Sequence, residues 1–213
     1  MKRYIAELIG TFALVFCGTG SIIVNQQSEG SLGLIGISLA FGLVITAIIY
    51  MFGFISGAHI NPAVTIALTV GKLFPKKELF GYLISQFLGA ILASATLFLL
   101  FPETSTMGET LPNGSEIQSF VFEVILTFFL MFTILAISTN EQHAQLTGIV
   151  IGLLIVGMIQ LSGPISGGSF NPARSLGPVL ISGNYTSIWV YIVAPTLGAT
   201  IASLLWVKVF AKE

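Results

Sequence analysis

Two asparagines open an identical triplet, at Asn61-Pro62-Ala63 and Asn171-Pro172-Ala173, and each triplet follows an Ile-Ser-Gly turn, Ile55-Ser56-Gly57 and Ile165-Ser166-Gly167. Asparagine at an N-cap accepts a backbone N–H, proline fits the first helical position where no donor is needed, and alanine propagates the helix. One such triplet is an ordinary helix start. Two copies at corresponding places in nearly uncharged runs are different, because non-helical backbone at membrane depth persists only where it lines a water-filled cavity or is covered by protein. Asparagine then has a second use: its side-chain oxygen caps the helix while the NH₂ group keeps two donors for a lumen. Each helix start would also present about half a positive charge, which disfavours cations. Carbonyls of residues 57–60 and 167–170 could form a ladder of acceptors leading to the two amides.

Arg174 directly follows the second triplet, and a charge that deep is functional by default; the plainer alternative is an interfacial arginine that snorkels to the membrane surface. Glu7 and Glu123 occupy matching places in the two halves and suit carboxylates that accept hydrogen bonds from the loops holding the half-helices, with a proton relay as the rival role. His59, two residues before the first triplet, could line a vestibule, and His143 lies with Glu141 in the link between the halves. The only cysteine, Cys17, is read as packing and excludes an internal disulfide. No cluster of His, Cys or acidic residues has metal-ligand spacing, no cofactor is expected, and no nucleophile sits with a base. The chain is therefore not read as an enzyme.

These residues must be positioned by membrane helices. Of 213 residues, 54% are hydrophobic and 8% charged, against about a quarter charged in soluble domains, so the lipid bilayer is the expected partner and nucleic acid is not. Uncharged runs such as Leu8 to Ser28 and Leu79 to Pro102 reach the roughly 20 residues a spanning helix needs. The run from Gly30 to Gly71 is too short for two spans and a turn. It fits one span ending near Phe54, a re-entrant turn and a half-helix from Asn61; likewise Ala144 to Leu180 fits a span ending near Ser162 and a half-helix from Asn171. The start, Met1-Lys2-Arg3-Tyr4, is read as part of a retained first helix rather than a cleaved signal.

The halves resemble each other: Glu7-Leu-Ile-Gly-Thr-Phe12 matches Glu123-Val-Ile-Leu-Thr-Phe128, and Leu88-Gly-Ala90 matches Leu197-Gly-Ala199. Three spans per half, an odd number, make the second half inverted. The fold class predicted is an all-α membrane protein of six transmembrane helices plus two re-entrant half-helices, a single channel domain over 1–213 built from repeats 1–102 and 117–213. Lys2, Arg3, Lys72, Lys76, Lys77, Lys208 and Lys212 all fall on one side, so both termini are expected to be cytoplasmic by the positive-inside rule. The linking loop 103–116, with three glutamates and no Lys or Arg, is then extracellular. The Gly148 to Gly152 spacing is read as close helix packing.

With both triplets and Arg174 behind the second, the chain resembles the aquaporin family, the major intrinsic proteins, over essentially its whole length. That resemblance implies a pore in each of four subunits of a homotetramer in the cell membrane, passing water and small neutral solutes, with Asn61, Pro62, Ala63, Asn171, Pro172 and Ala173 at its centre. It also implies an outer ring of Phe41, Ile159, Gly168 and Arg174. Strict water channels of the family usually carry histidine where Ile159 stands, and glycerol facilitators usually carry a larger aromatic at Phe41 and Asp at Ser175, so the ring departs from both. It should be wider and less polar than in a strict water channel. Tyr191-Ile192 before Pro195 resembles nodulin-like intrinsic proteins and their bacterial relatives, which implies glycerol, urea and neutral metalloid acids such as arsenite as solutes. A strict water channel and a secondary transporter remain the alternatives; the latter would need coupling groups in a chain that contains no Asp.

Overall fold

In the computed structural model, which describes residues 1–140 and 142–211, all regular structure is helical. The long helices are α1 Lys2–Gln27, α2 Gly33–Ser56, α4 Leu79–Leu100, α5 Glu116–Ser138, α6 Thr147–Ser166 and α8 Ile188–Leu205, with the short α3 Pro62–Val70 and α7 Pro172–Ser182 between them. Six are long and apolar enough to cross a bilayer. The order long, long, short, long occurs twice, and with three crossings in each half the second half runs inverted.

Polarity is distributed inside out. Leu43, Phe80, Leu99 and Leu153 are exposed on the bundle, whereas Glu7, Glu123, Gln86 and Arg174 are buried. That suits a surrounding solvent of hydrocarbon, in which each buried polar group needs an internal partner.

The two halves pack by the same devices. α1 lies on α4 and α5 on α8, and at each crossing a glycine lets backbones meet: a Cβ on Gly89 would collide with the Leu8 carbonyl, and one on Gly198 with the Val124 carbonyl. α2 meets α6 at Gly42 and Gly152, where a Cβ on either would fall 2.6 Å from the other's carbonyl oxygen. Gly148 lies under the Tyr50 ring one turn away. The short helices cross over: α3 of the first half packs on α8 of the second, and α7 of the second on α4 of the first.

α2 and α6 run past the expected ends at Phe54 and Ser162, to Ser56 and Ser166. What stops each is a left-handed glycine, Gly57 at φ 85° and Gly167 at φ 77°, whose N–H still bonds the Gly53 or Gly163 carbonyl. The pattern of apolar residues carries no mark of that stop; the left-handed cap does. Tyr4 Oη donates to Glu78 at 2.8 Å, placing the start of α1 beside Lys76 and Lys77. Thr106 donates to Gln26 and the Asn113 N–H to the Ile165 carbonyl, so the 103–116 loop covers the opposite end. Lys212, one of the seven basic residues of the sidedness argument, lies outside the described residues.

Candidate functional site

The two triplets start their helices in matching geometry. Asn61 and Asn171 are extended, φ −153° in both; the Asn61 carboxamide oxygen accepts from the Ala63 N–H at 2.9 Å and that of Asn171 from the Ala173 N–H at 3.0 Å. The amide groups face across the molecule. Asn61 Nδ2 donates to the Phe170 carbonyl at 2.7 Å, and Asn171 Nδ2 to the Ile60 carbonyl at 2.8 Å. The expectation of two free donors per asparagine is corrected by this exchange, since one N–H of each amide is engaged by the other half and one remains. The reason is geometric: with the helix starts in contact, the last carbonyl of each loop is within reach of the opposite amide.

The loops that end at the triplets are strained. Ala58, Ile60 and Phe170 have φ of 47°, 45° and 56°, a region rare for any residue with a Cβ and most so for a β-branched one. Such conformations persist only where surroundings over-determine them. Here buried carboxylates do so: Glu7 accepts from the Ser56 hydroxyl at 2.7 Å and the N–H groups of His59 and Ile60 at 2.9 and 2.6 Å. Glu123 accepts from the Ser166 hydroxyl at 2.8 Å and the N–H groups of Ser169 and Phe170 at 2.9 and 2.7 Å. With the donors turned to the carboxylates, the carbonyls of Gly57, Ala58, His59, Gly167, Gly168 and Ser169 have no protein donor among the described residues.

A cavity of about 260 Å³ runs past these groups. Both asparagines, both loops and His59 line it, with an apolar wall that includes Leu14, Ile45, Val64, Leu130 and Ile155, and it reaches Ser138 and Thr147 toward the lysine-bearing end. A second recess opens on the 103–116 side and is lined by Glu109, Leu111 and Leu34 among others. The two share four lining residues, Phe41, Ile159, Gly168 and Arg174. Those four therefore stand between the cavities.

Arg174 is buried in the first turn of α7, which is not an interfacial position. Its Nη1 donates to the Gly108 carbonyl at 2.7 Å, and its guanidinium lies 5.2 Å over the Phe41 ring. Gly168 sits at φ 59°, close enough to α6 that a Cβ would fall 3.2 Å from the Ser162 hydroxyl and 3.5 Å from Ile159 Cγ1. Pro62, Ala63, Pro172 and Ala173 are buried as the first residues of their helices. His59 is half-buried, its ring against Phe74 and Tyr82 and its Nδ1 3.2 Å from the Thr65 hydroxyl.

Three groups went unread in the sequence. Gln86 donates to Glu7 at 2.8 Å and to Thr65 at 2.9 Å; its counterpart in the second half is Pro195, so comparison of the halves hides it. The Gly108 carbonyl anchors Arg174, and Glu109 faces the second recess; nothing local marks a loop residue that folds back over a distant helix. Cys17 is exposed on the outside of α1, which corrects its reading as packing. His143 is exposed in the α5–α6 link, which lies within the second half and not between the halves as expected, and Glu141 lies outside the described residues.

Comparison with known proteins gives a consistent answer. The sequence profile of the family described as Major intrinsic protein matches residues 1–206. The chain is 45% identical over 201 residues to Aquaporin NIP1-1 of Zea mays, covering 93% of this chain and 71% of the relative. It is 44% identical to Nodulin-26 of Glycine max, with 93% and 74% covered. Among solved structures, the aquaglyceroporin from Plasmodium falciparum superposes with a TM-score of 0.89 at 29% identity, over 98% of this chain and 96% of that one.

Proposed function

The chain belongs to the major intrinsic protein family, membrane channels for water and small solutes rather than enzymes, and from that premise we propose a passive pore that admits glycerol, urea and neutral metalloid acids such as arsenite as well as water. The observation that carries this reading is that two cavities entering from opposite ends share only Phe41, Ile159, Gly168 and Arg174. Of these, two are apolar and one lacks a side chain, so the narrowing offers one side-chain donor group, the guanidinium, and no side chain on the Gly168 side. Beyond it a solute meets bare carbonyls on one side and hydrocarbon on the other. A polyol or a small neutral acid can turn its hydroxyls to the former and its apolar edge to the latter, so desolvation costs little.

Ions face a different path. Arg174 repels cations at the narrowing, and the converging starts of α3 and α7 repel them again at the asparagines. The single remaining N–H on each amide donates to a passing oxygen, which orients it and breaks a donor-to-acceptor proton chain. Glu7 and Glu123 are held by loop donors and line neither cavity, which argues against coupled transport.

The lysine-bearing end is proposed to face the cytoplasm, because Lys2, Arg3, Lys72, Lys76, Lys77 and Lys208 gather there. The 103–116 loop is then extracellular, in the cell membrane, and the assembly a homotetramer as the family resemblance implies. Stopped-flow light scattering on proteoliposomes tests the reading, with gradients of water, glycerol, urea and arsenous acid, each with and without an ion gradient. Fluxes linear in solute and indifferent to ions are expected. Saturable uptake driven by an ion gradient would establish a transporter, and water flux alone a strict water channel.

A further inference from the structure

Gly18 lines neither cavity, yet it is the residue against which the Phe41 ring rests. A Cβ built there would lie 2.5 Å from both Cδ1 and Cζ of Phe41 and nearer still to Cε1. Carbon atoms pack at about 3.5–4.0 Å, so any side chain at this position displaces the ring by about 1 Å or more. The ring edge occupies the hollow left by the missing side chain.

The direction of displacement is constrained. The next residue, Gly42, has its backbone against α6, where a Cβ would meet the Gly152 carbonyl oxygen at 2.6 Å, so α2 has no room to back away from α1. On its own helix α1 is held against α4, where the Leu8 carbonyl touches Gly89. The ring belongs to one buried cluster with Leu14, Ile45 and Ile159, and the open space beside it is the lumen that it lines on both sides of the narrowing. Arg174 is 5.2 Å from the ring centroid on that same side. A ring pushed off Gly18 therefore swings into the solute path and crowds the guanidinium.

We propose that Gly18 is a specificity-determining positioning residue: by giving Phe41 a seat outside the lumen, it holds the narrowing wide enough for solutes larger than water. The proposal deepens the reading of this protein as a glycerol-passing channel and rests on it. It places part of the selectivity in the α1–α2 packing, behind the residues that touch solute.

The test is Gly18→Ala, with Phe41→Leu and the double variant, measured per inserted channel in proteoliposomes for water and glycerol. Gly157→Ala serves as the control for replacing a helix glycine, since a Cβ there meets nothing within 4 Å. One methyl's worth of bulk at a fitted site discriminates by about tenfold or more. Gly18→Ala should accordingly lower glycerol flux about tenfold and water flux much less, while Gly157→Ala leaves their ratio unchanged. In the Phe41→Leu background, where no ring remains to be displaced, the alanine should be silent. An unchanged glycerol-to-water ratio in Gly18→Ala overturns the proposal. So does a double variant as impaired as the single one, which would trace the loss to helix packing alone. Failure of Gly18→Ala to insert also overturns it, because the ring would then have had nowhere to go. Absence of glycerol flux in the unaltered channel would refute the functional reading instead, a result the same experiment separates.

Discussion

Replacing Asn171 by aspartate isolates the electrostatic part of ion exclusion. A monovalent cation at the junction lies about 4 Å from each helix start; with about half a charge at each and an effective dielectric of about 20, each contributes roughly 2 kcal/mol of repulsion, about 4 kcal/mol together. An ionised carboxylate at position 171 contributes about −4 kcal/mol over the same distance, which cancels that barrier. Desolvation and Arg174 still oppose entry, so the absolute flux stays small, but the ratio to the unaltered channel should rise by up to about a thousandfold. Helix capping is kept because aspartate caps as well as asparagine. What is lost is the Asn171 Nδ2 bond to the Ile60 carbonyl, 2.8 Å long; a carboxylate oxygen there has no proton to offer, so it turns away and leaves that carbonyl unpaired, at a cost of about 1–3 kcal/mol and several degrees in Tm. Sodium flux into proteoliposomes at pH 8, normalised to water flux, is the assay. Asn171→Ser is the neutral control; it caps without an amide or a charge and should stay tight. An aspartate variant that inserts and passes water, yet is as tight to sodium as the unaltered channel, would refute the assignment of the barrier to the two helix starts.

Three further perturbations probe the rest of the site. Ile159→His should cut glycerol flux more than water flux by narrowing the ring and adding a donor, whereas Gly168→Thr must also take φ 59°, a strain of about 1–2 kcal/mol that thermal unfolding in detergent should show as a lower Tm. Tyr82→Phe should lose about 1 kcal/mol with the bond from Tyr82 Oη to the Ser56 carbonyl, while Tyr191→Phe, at the matching place in the second half, should not lower Tm because its hydroxyl has no protein partner among the described residues. Chains 1–103 and 104–213 made together should recover water flux, and neither alone should conduct; flux from 1–103 alone would show that one half suffices.

What could be read in advance divides along the distance of the interactions concerned. The N-caps at Asn61 and Asn171 depend on residues two positions apart, and Pro62 and Pro172 report the first turn directly, so helix starts were legible. The span count followed from run lengths and the sparse charges. Helix ends were less so, because Ser56 and Ser166 continue an apolar run and only the left-handed Gly57 and Gly167 terminate it. The second N–H of each asparagine was misjudged since its partners, Ile60 and Phe170, are more than a hundred residues away. Gln86 was missed for the opposite reason: reasoning from the repeat favours residues with a counterpart, and Pro195 offers none. Gly18 illustrates the hardest kind, for nothing in its neighbourhood distinguishes it from Gly20, which faces Leu97 instead of Phe41.

The interlocking of the halves explains why the asparagine exchange is possible at all. Each carboxylate acts within its own half, Glu7 on residues 59 and 60, Glu123 on residues 169 and 170, and so holds its loop with contacts that do not involve the partner half. Each half-helix, however, packs on the other half's last long span, α3 on α8 and α7 on α4, with Gly177 close enough to α4 that a Cβ would fall 2.8 Å from the Ala90 carbonyl oxygen. Local hydrogen bonds thus shape the strained loops, and long-range packing sets where they point. The two reciprocal amide bonds form only when both conditions hold, which ties the asparagine pair lining the cavity to completion of the whole bundle.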